Sequence, residues 1–162
     1  IMLFMIFAYR LPGLVSSISL LAYIVILAYA LLLTKANLSL AGIAGIILSI
    51  GMAVDANVII FERIKEELKS GKTLGASLKA GFNRAISAIL DGQITTAIAA
   101  VVLFIFGTGT IKGFAITLGL GIIISLFTAV IITRFLLNAV FSMNVKNLWL
   151  YGLSKKKAKE EN

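Results

Sequence analysis

Two carboxylates, Asp55 and Asp91, stand in stretches that otherwise run apolar: "GMAVDANVIIFERI" at 51–64 and "AISAILDGQITTAI" at 85–98. An acid at the centre of a membrane-crossing helix costs about 2.5–3.5 kcal/mol on insertion scales. A carboxyl group in such surroundings either takes up a proton or awaits a cation from elsewhere. Both behaviours suit a proton relay, the usual role of ionisable groups inside spans. No cation of this chain falls at the same depth, because Arg63 belongs to the interface and Arg134 to the end of the last apolar stretch. The competing reading is a neutral acid hydrogen-bonded to a neighbouring helix. Asp55 shares its helix face with Leu48, Gly51, Met52, Ile59 and Glu62, whereas Asn57 points away from it. Asp91 has Gln93 beside it and Thr95 one turn on, and Thr95 and Thr96 are equally suited to binding helices together.

The elements that position these acids follow from composition. The 162-residue chain is 60% hydrophobic and 14% charged, with a mean hydropathy of +1.05. A soluble domain averages about 25% charged residues, so this is a membrane protein of one domain. Four stretches, 14–34, 38–61, 85–106 and 114–137, can each cross a hydrocarbon core, which takes about 20 residues. A fifth, 1–9, is read as the end of a span truncated at its start, so a longer parent protein is expected. It carries no cleavable leader pattern. It ends at "YRLPG", where Arg10, Pro12 and Gly13 predict a tight turn. The fold class is an all-α, polytopic transmembrane helix bundle: a bundle over 10–145, a charged loop over 63–84 and a basic tail over 146–162.

Basic residues set the orientation. Arg10, then Arg63, Lys65, Lys69, Lys72, Lys79 and Arg84, then Arg134, Lys146, Lys155, Lys156, Lys157 and Lys159 fall on one side if spans alternate, leaving Lys35 and Lys112 on the other. Such an excess marks the cytoplasmic side, so the C-terminus is expected there. The formal charge of +8 is thereby explained without nucleic acid. Leu74, Leu78 and Phe82 recur at helical spacing and predict a short amphipathic helix on that face, with Gly71 ending the preceding helix. Trp149 and Tyr151 are placed as interface anchors, and each lysine of "SKKKAKEEN" adds about 1 kcal/mol of attraction to lipid. Gly42, Gly45, Ser49, Ala53 and Ala56 form a small-residue stripe for helix packing, and Gly51 is counted with them as a packing position that leaves room beside Asp55 for a close helix or water.

Other chemistries lack their residues. With no cysteine and no histidine there are no disulfides, thiolate nucleophiles, histidine metal ligands or histidine bases. "SGKT" at 70–73 fails as a phosphate loop because Glu66 stands where glycine is required. "GTGTIKG" at 107–113 is a turn between spans. No enzyme, no cofactor and no metal centre is expected.

The block "AGIAGIILSIGMAVDANVIIFERIKEEL" carries a resemblance that extends through "YRLPGL", "LFIFGTG.IKGFA" and "SLFTA...TR" over nearly the whole chain. It resembles the membrane region of the SecD/SecF family, on its SecD side, within the resistance–nodulation–division superfamily of proton-driven transporters. Ala41 and Thr110 stand where that family commonly has proline, and Gly92-Gln93 where it often has Ala-Asn. The resemblance implies a six-span subunit with a large extracytoplasmic domain, in the bacterial cytoplasmic membrane, promoting preprotein export under the proton-motive force. Asp55 would match its essential membrane carboxylate, working with an Asp and an Arg of a SecF-like partner. Further implied partners are the Sec channel, its motor ATPase and emerging preprotein. Two other readings are an assembly scaffold for the SecF-like subunit and the export channel, and a small-molecule exporter of the same superfamily; the Asp55 block argues against the exporter.

Overall fold

The computed structural model describes residues 2–34 and 39–142. Among them the regular elements are α1 (Met2–Tyr9), α2 (Leu11–Thr34), α3 (Leu40–Lys69), α4 (Leu74–Phe106), α5 (Thr110–Phe127), a π-helical segment (Thr128–Thr133) and α6 (Arg134–Ser142). Four helical stretches are long and apolar enough to cross a membrane: Leu11–Thr34, Leu40–Lys69, Leu74–Phe106 and the continuous Thr110–Val140. Their outward surface is apolar, with Leu32, Ile47, Phe106 and Phe135 exposed, as a lipid solvent requires. Lys35, residue 38, Lys146, Trp149, Tyr151 and the tail at 146–162 lie outside the described residues.

Helix ends follow local chemistry. Ser39 caps α3, its Oγ accepting from the Gly42 backbone N–H at 3.1 Å. At the other end Gly71 adopts φ +82°, and its N–H donates to the Leu68 carbonyl at 3.2 Å, closing α3 as the sequence suggested. Gly109, at φ +54°, begins α5.

Three local expectations change. The turn at "YRLPG" is a single residue, Arg10 at φ +54°, while Pro12 and Gly13 sit in the first turn of α2. Proline is tolerated there because the first helical N–H groups need no intrahelical acceptor. Gly13 is needed for contact: a Cβ on it would lie 2.1 Å from the Met5 carbonyl oxygen. The separate amphipathic helix does not exist. Leu74, Leu78 and Phe82 belong to the first turns of α4 and are buried inside the bundle. Gly81 lets the α4 backbone lie directly on α3 at Ile64, so this apolar face packs on protein rather than on lipid. Finally, the last span is interrupted by the π-helical segment.

Charges gather at one end of the bundle. The α3–α4 hairpin carries Arg63, Lys65, Lys69, Lys72, Lys79 and Arg84. Tyr9 packs on Phe61 at 5.9 Å between ring centroids, which brings Arg10 there too. The last span returns to the same end, with the Arg134 guanidinium 5.4 Å from the Phe82 ring centroid.

Candidate functional site

The α3 helix divides its faces by residue size. Gly42, Gly45, Ser49, Ala53 and Ala56 are buried, and α3 packs more extensively on α5 than on any other helix. A Cβ on Gly45 would lie 2.3 Å from Thr117 Oγ1, and one on Gly121 would lie 2.3 Å from Ser49 Cβ. Contacts this close need glycine, as small-residue packing in lipid requires. Gly51 is not part of that seam: a Cβ there would meet nothing within 4 Å. It leaves open space one turn from Asp55.

Asp55 is exposed and opens onto a groove of about 230 Å³ between α3 and α4. Met52 and Ile59 flank it on α3, and Ile89, Gly92 and Gln93 line the opposite wall. At 1.5 Å per residue, Asp55 lies about 22 Å along the helix from Leu40, well inside a membrane-crossing length. Among the described residues it forms no ion pair. The groove therefore presents a carboxyl group on the outside of this bundle, at membrane depth, with no cation among the described residues that line it.

Gln93 faces Asp55's groove from a buried position, 6% exposed. Its Nε2 donates to Ser125 Oγ at 3.2 Å, and its Oε1 is buried without a hydrogen bond. A buried acceptor left without a donor is costly. It is a polar group of the groove that sequence reasoning underrated; the signal was an amide within an apolar span, two positions from Asp91. Asp91 itself is exposed and is not among the residues lining the groove. The structure thus brings Asp55 beside Gln93 and leaves Asp91 outside that wall. Thr95 and Thr96 donate to the carbonyls of Asp91 and Gly92, at 3.0 and 3.1 Å, so their hydroxyls are satisfied within α4.

Behind the groove runs a buried polar chain. Thr133 Oγ1 donates to Asn57 Oδ1 at 2.8 Å and lies 2.8 Å from Ser19 Oγ. A hydroxyl has one proton, so Ser19 donates to Thr133, which donates to Asn57. The chain ties α2, the π-helical segment and α3 together. Asn57 thus has a packing role within this molecule. Thr133 was not singled out in the sequence, because its placement depends on where the π-helical segment turns it.

At the hairpin end Glu67 is 3% exposed, yet it carries two cations: Lys72 Nζ on Oε2, and Arg84 Nη1 on Oε1 at 2.6 Å. These contacts join the last turn of α3 to α4 across the short Ser70–Thr73 turn. Among the described residues no group of three or more Asp, Glu, His or Cys side chains gathers where it could hold a metal ion.

Residues 1–142 match the family model described as protein export membrane protein SecD/SecF, C-terminal. A protein translocase subunit SecD of Acidaminococcus fermentans is 56% identical over 153 residues, covering 94% of this chain and 37% of that protein. A protein translocase subunit SecDF of Bacillus subtilis is 50% identical over 162 residues, covering 96% of this chain and 21% of that one. The crystal structure of SecDF, a translocon-associated membrane protein from a Thermus species, superposes with a TM-score of 0.84 at 38% identity, covering 88% of this chain and 20% of that chain. The chain spans 37% or less of the length of these relatives.

Proposed function

The chain belongs to the SecD/SecF family of protein-export membrane proteins, and from that premise we propose that it forms a membrane core through which the proton-motive force assists preprotein export. It serves as an auxiliary subunit of the Sec translocase in the bacterial cytoplasmic membrane, with the charged hairpin end and the C-terminus on the cytoplasmic side. It catalyses no covalent reaction of its own. Its partners are a SecF-like subunit, the translocation channel with its motor ATPase, and the emerging preprotein.

One observation carries the reading: Asp55 faces out of the bundle into an open groove at membrane depth. A partner subunit seated on that face supplies the cation that the described residues lack there. Asp55 takes up a proton while open to one side of the membrane and releases it while open to the other. Neutralising the carboxyl group changes which packing of the facing helices is favoured, since an ionised acid in a closed apolar groove is costly. One proton crossing 100 mV supplies about 2.3 kcal/mol, enough to bias a two-state packing roughly fiftyfold. The packing change reaches the far ends of the spans and, through them, the extracytoplasmic part of the complete protein that grips preprotein.

The test uses the full-length protein with its SecF-like partner in vesicles, comparing wild type and Asp55→Asn. Complex assembly should persist while stimulation of export by an imposed proton gradient disappears. Stimulation at the wild-type level in Asp55→Asn would leave the carboxyl group with an assembly role alone and overturn the proposal.

A further inference from the structure

A second groove, of about 270 Å³, opens at the hairpin end between the first turns of α4 and α6. Leu78, Phe82 and Leu137 give it an apolar, buried floor. Its rim holds Lys79 and Arg134 together with the amides of Asn83 and Asn138, all exposed. Among the described residues no carboxylate lines it and neither cation forms an ion pair. The Arg134 guanidinium is held over the Phe82 ring, 5.4 Å from its centroid. Two positive charges, one of them held in place, and two amide donors around an apolar floor make a receptor for an anion that carries hydrocarbon.

Depth identifies the source of that anion. Lys79 precedes the end of α4 at Phe106 by about 40 Å of helix, and Arg134 follows the start of α5 at Thr110 by about 36 Å. The hydrocarbon core is about 30 Å thick. Both cations therefore reach the head-group layer at the hairpin end. Next to Arg134, Phe135 is 72% exposed and Ile131 is exposed, so the helix beside the groove faces acyl chains rather than water.

We propose that this groove binds the phosphate head group of an anionic phospholipid, with Lys79 and Arg134 on the phosphate, Asn83 and Asn138 donating to its oxygens, and the upper acyl chain on Phe82 and Leu137. The site fastens the start of α4 to α6 at the membrane surface. It rests on the membrane placement of the bundle and is independent of Asp55.

The experiment titrates full-length protein in neutral detergent with phosphatidylglycerol, reading bound lipid by native mass spectrometry. Phosphatidylcholine serves as the zwitterionic comparison and inorganic phosphate as the soluble competitor. Wild type should prefer phosphatidylglycerol, and Lys79→Gln and Arg134→Gln should each weaken it about fivefold, the effect of one interfacial cation. Lys69→Gln, at the same end but outside the groove, should leave binding unchanged. Lys79 is exposed and among the described residues stacks on no ring, so Lys79→Gln carries the test if Arg134→Gln folds poorly. The proposal is overturned if Lys79→Gln binds like wild type, if Lys69→Gln loses as much, or if inorganic phosphate displaces the lipid at equal concentration. Asp55→Asn should bind phosphatidylglycerol normally, which separates this site from the proton-coupling reading.

Discussion

Asp55 and Asn57, two residues apart on α3, face opposite ways: Asn57 is buried and accepts a hydrogen bond from Thr133 at 2.8 Å, while Asp55 opens onto the groove shared with Gln93. Two residues turn a helix by about 200°. One polar group is therefore spent on holding the bundle together, and the other is left for whatever meets the bundle from outside. Substitutions at the two sites should separate stability from coupling.

Thr133→Val removes the central link of the Ser19–Thr133–Asn57 chain. Interhelical hydrogen bonds in membranes average about 0.6 kcal/mol and reach about 1.7 kcal/mol, and this fully buried one should fall in the upper half of that range. A double-mutant cycle with Ser19→Ala, read by unfolding of the full-length protein in detergent, should be non-additive, because Thr133 bonds to both neighbours. Strict additivity would refute the chain.

The glycines differ by what surrounds them. A Cβ on Gly81 would lie 2.6 Å from Ile64 Cα and 2.7 Å from Ile64 N, both backbone atoms that cannot rotate aside. Gly81→Ala should destabilise the protein by about 1–3 kcal/mol, as overpacking does. Gly51→Ala has open space and should keep stability or raise it by up to about 1 kcal/mol through helix propensity. Thermal unfolding of the two variants side by side checks the contrast.

Glu67→Gln strips the charge from a carboxylate that is 3% exposed, leaving Lys72 and Arg84 without their partner. Both cations are partly exposed and can turn to water, so the loss should be smaller than that of a fully buried pair. The consequence should be local. Limited proteolysis of the full-length protein should cut faster in the Ser70–Thr73 turn; an unchanged cleavage rate there would show that the pairs do not hold the hairpin.

Asp91 lies outside the groove wall that Gln93 and Gly92 share with Asp55. Asp91→Asn should therefore retain gradient-driven export stimulation to within about twofold, the range expected of a surface substitution. A loss equal to that of Asp55→Asn would place both acids in one relay.

Much of this molecule was legible in the amino-acid sequence because lipid imposes simple rules. An apolar stretch about 20 residues long must close its hydrogen bonds on itself, so 14–34, 38–61, 85–106 and 114–137 predicted helices, and described helices cover almost all of that ground. The acids stood out because charge is rare in such stretches. The small-residue stripe from Gly42 to Ala56 likewise marked the face that packs, since close backbones in lipid need small side chains. Tertiary structure decided the rest. Whether Leu74, Leu78 and Phe82 lie on lipid or on protein depends on Gly81 meeting Ile64, residues 17 positions apart in sequence and invisible to a helical period. Gln93 joined Asp55, and Asp91 did not, because the crossing of α3 and α4 selects which side of each helix forms the groove. Thr133 reached Asn57 through a π-helical turn that no local pattern announced. A sequence fixes period and composition along one helix; rotation and crossing between helices arise only from the fit of their surfaces.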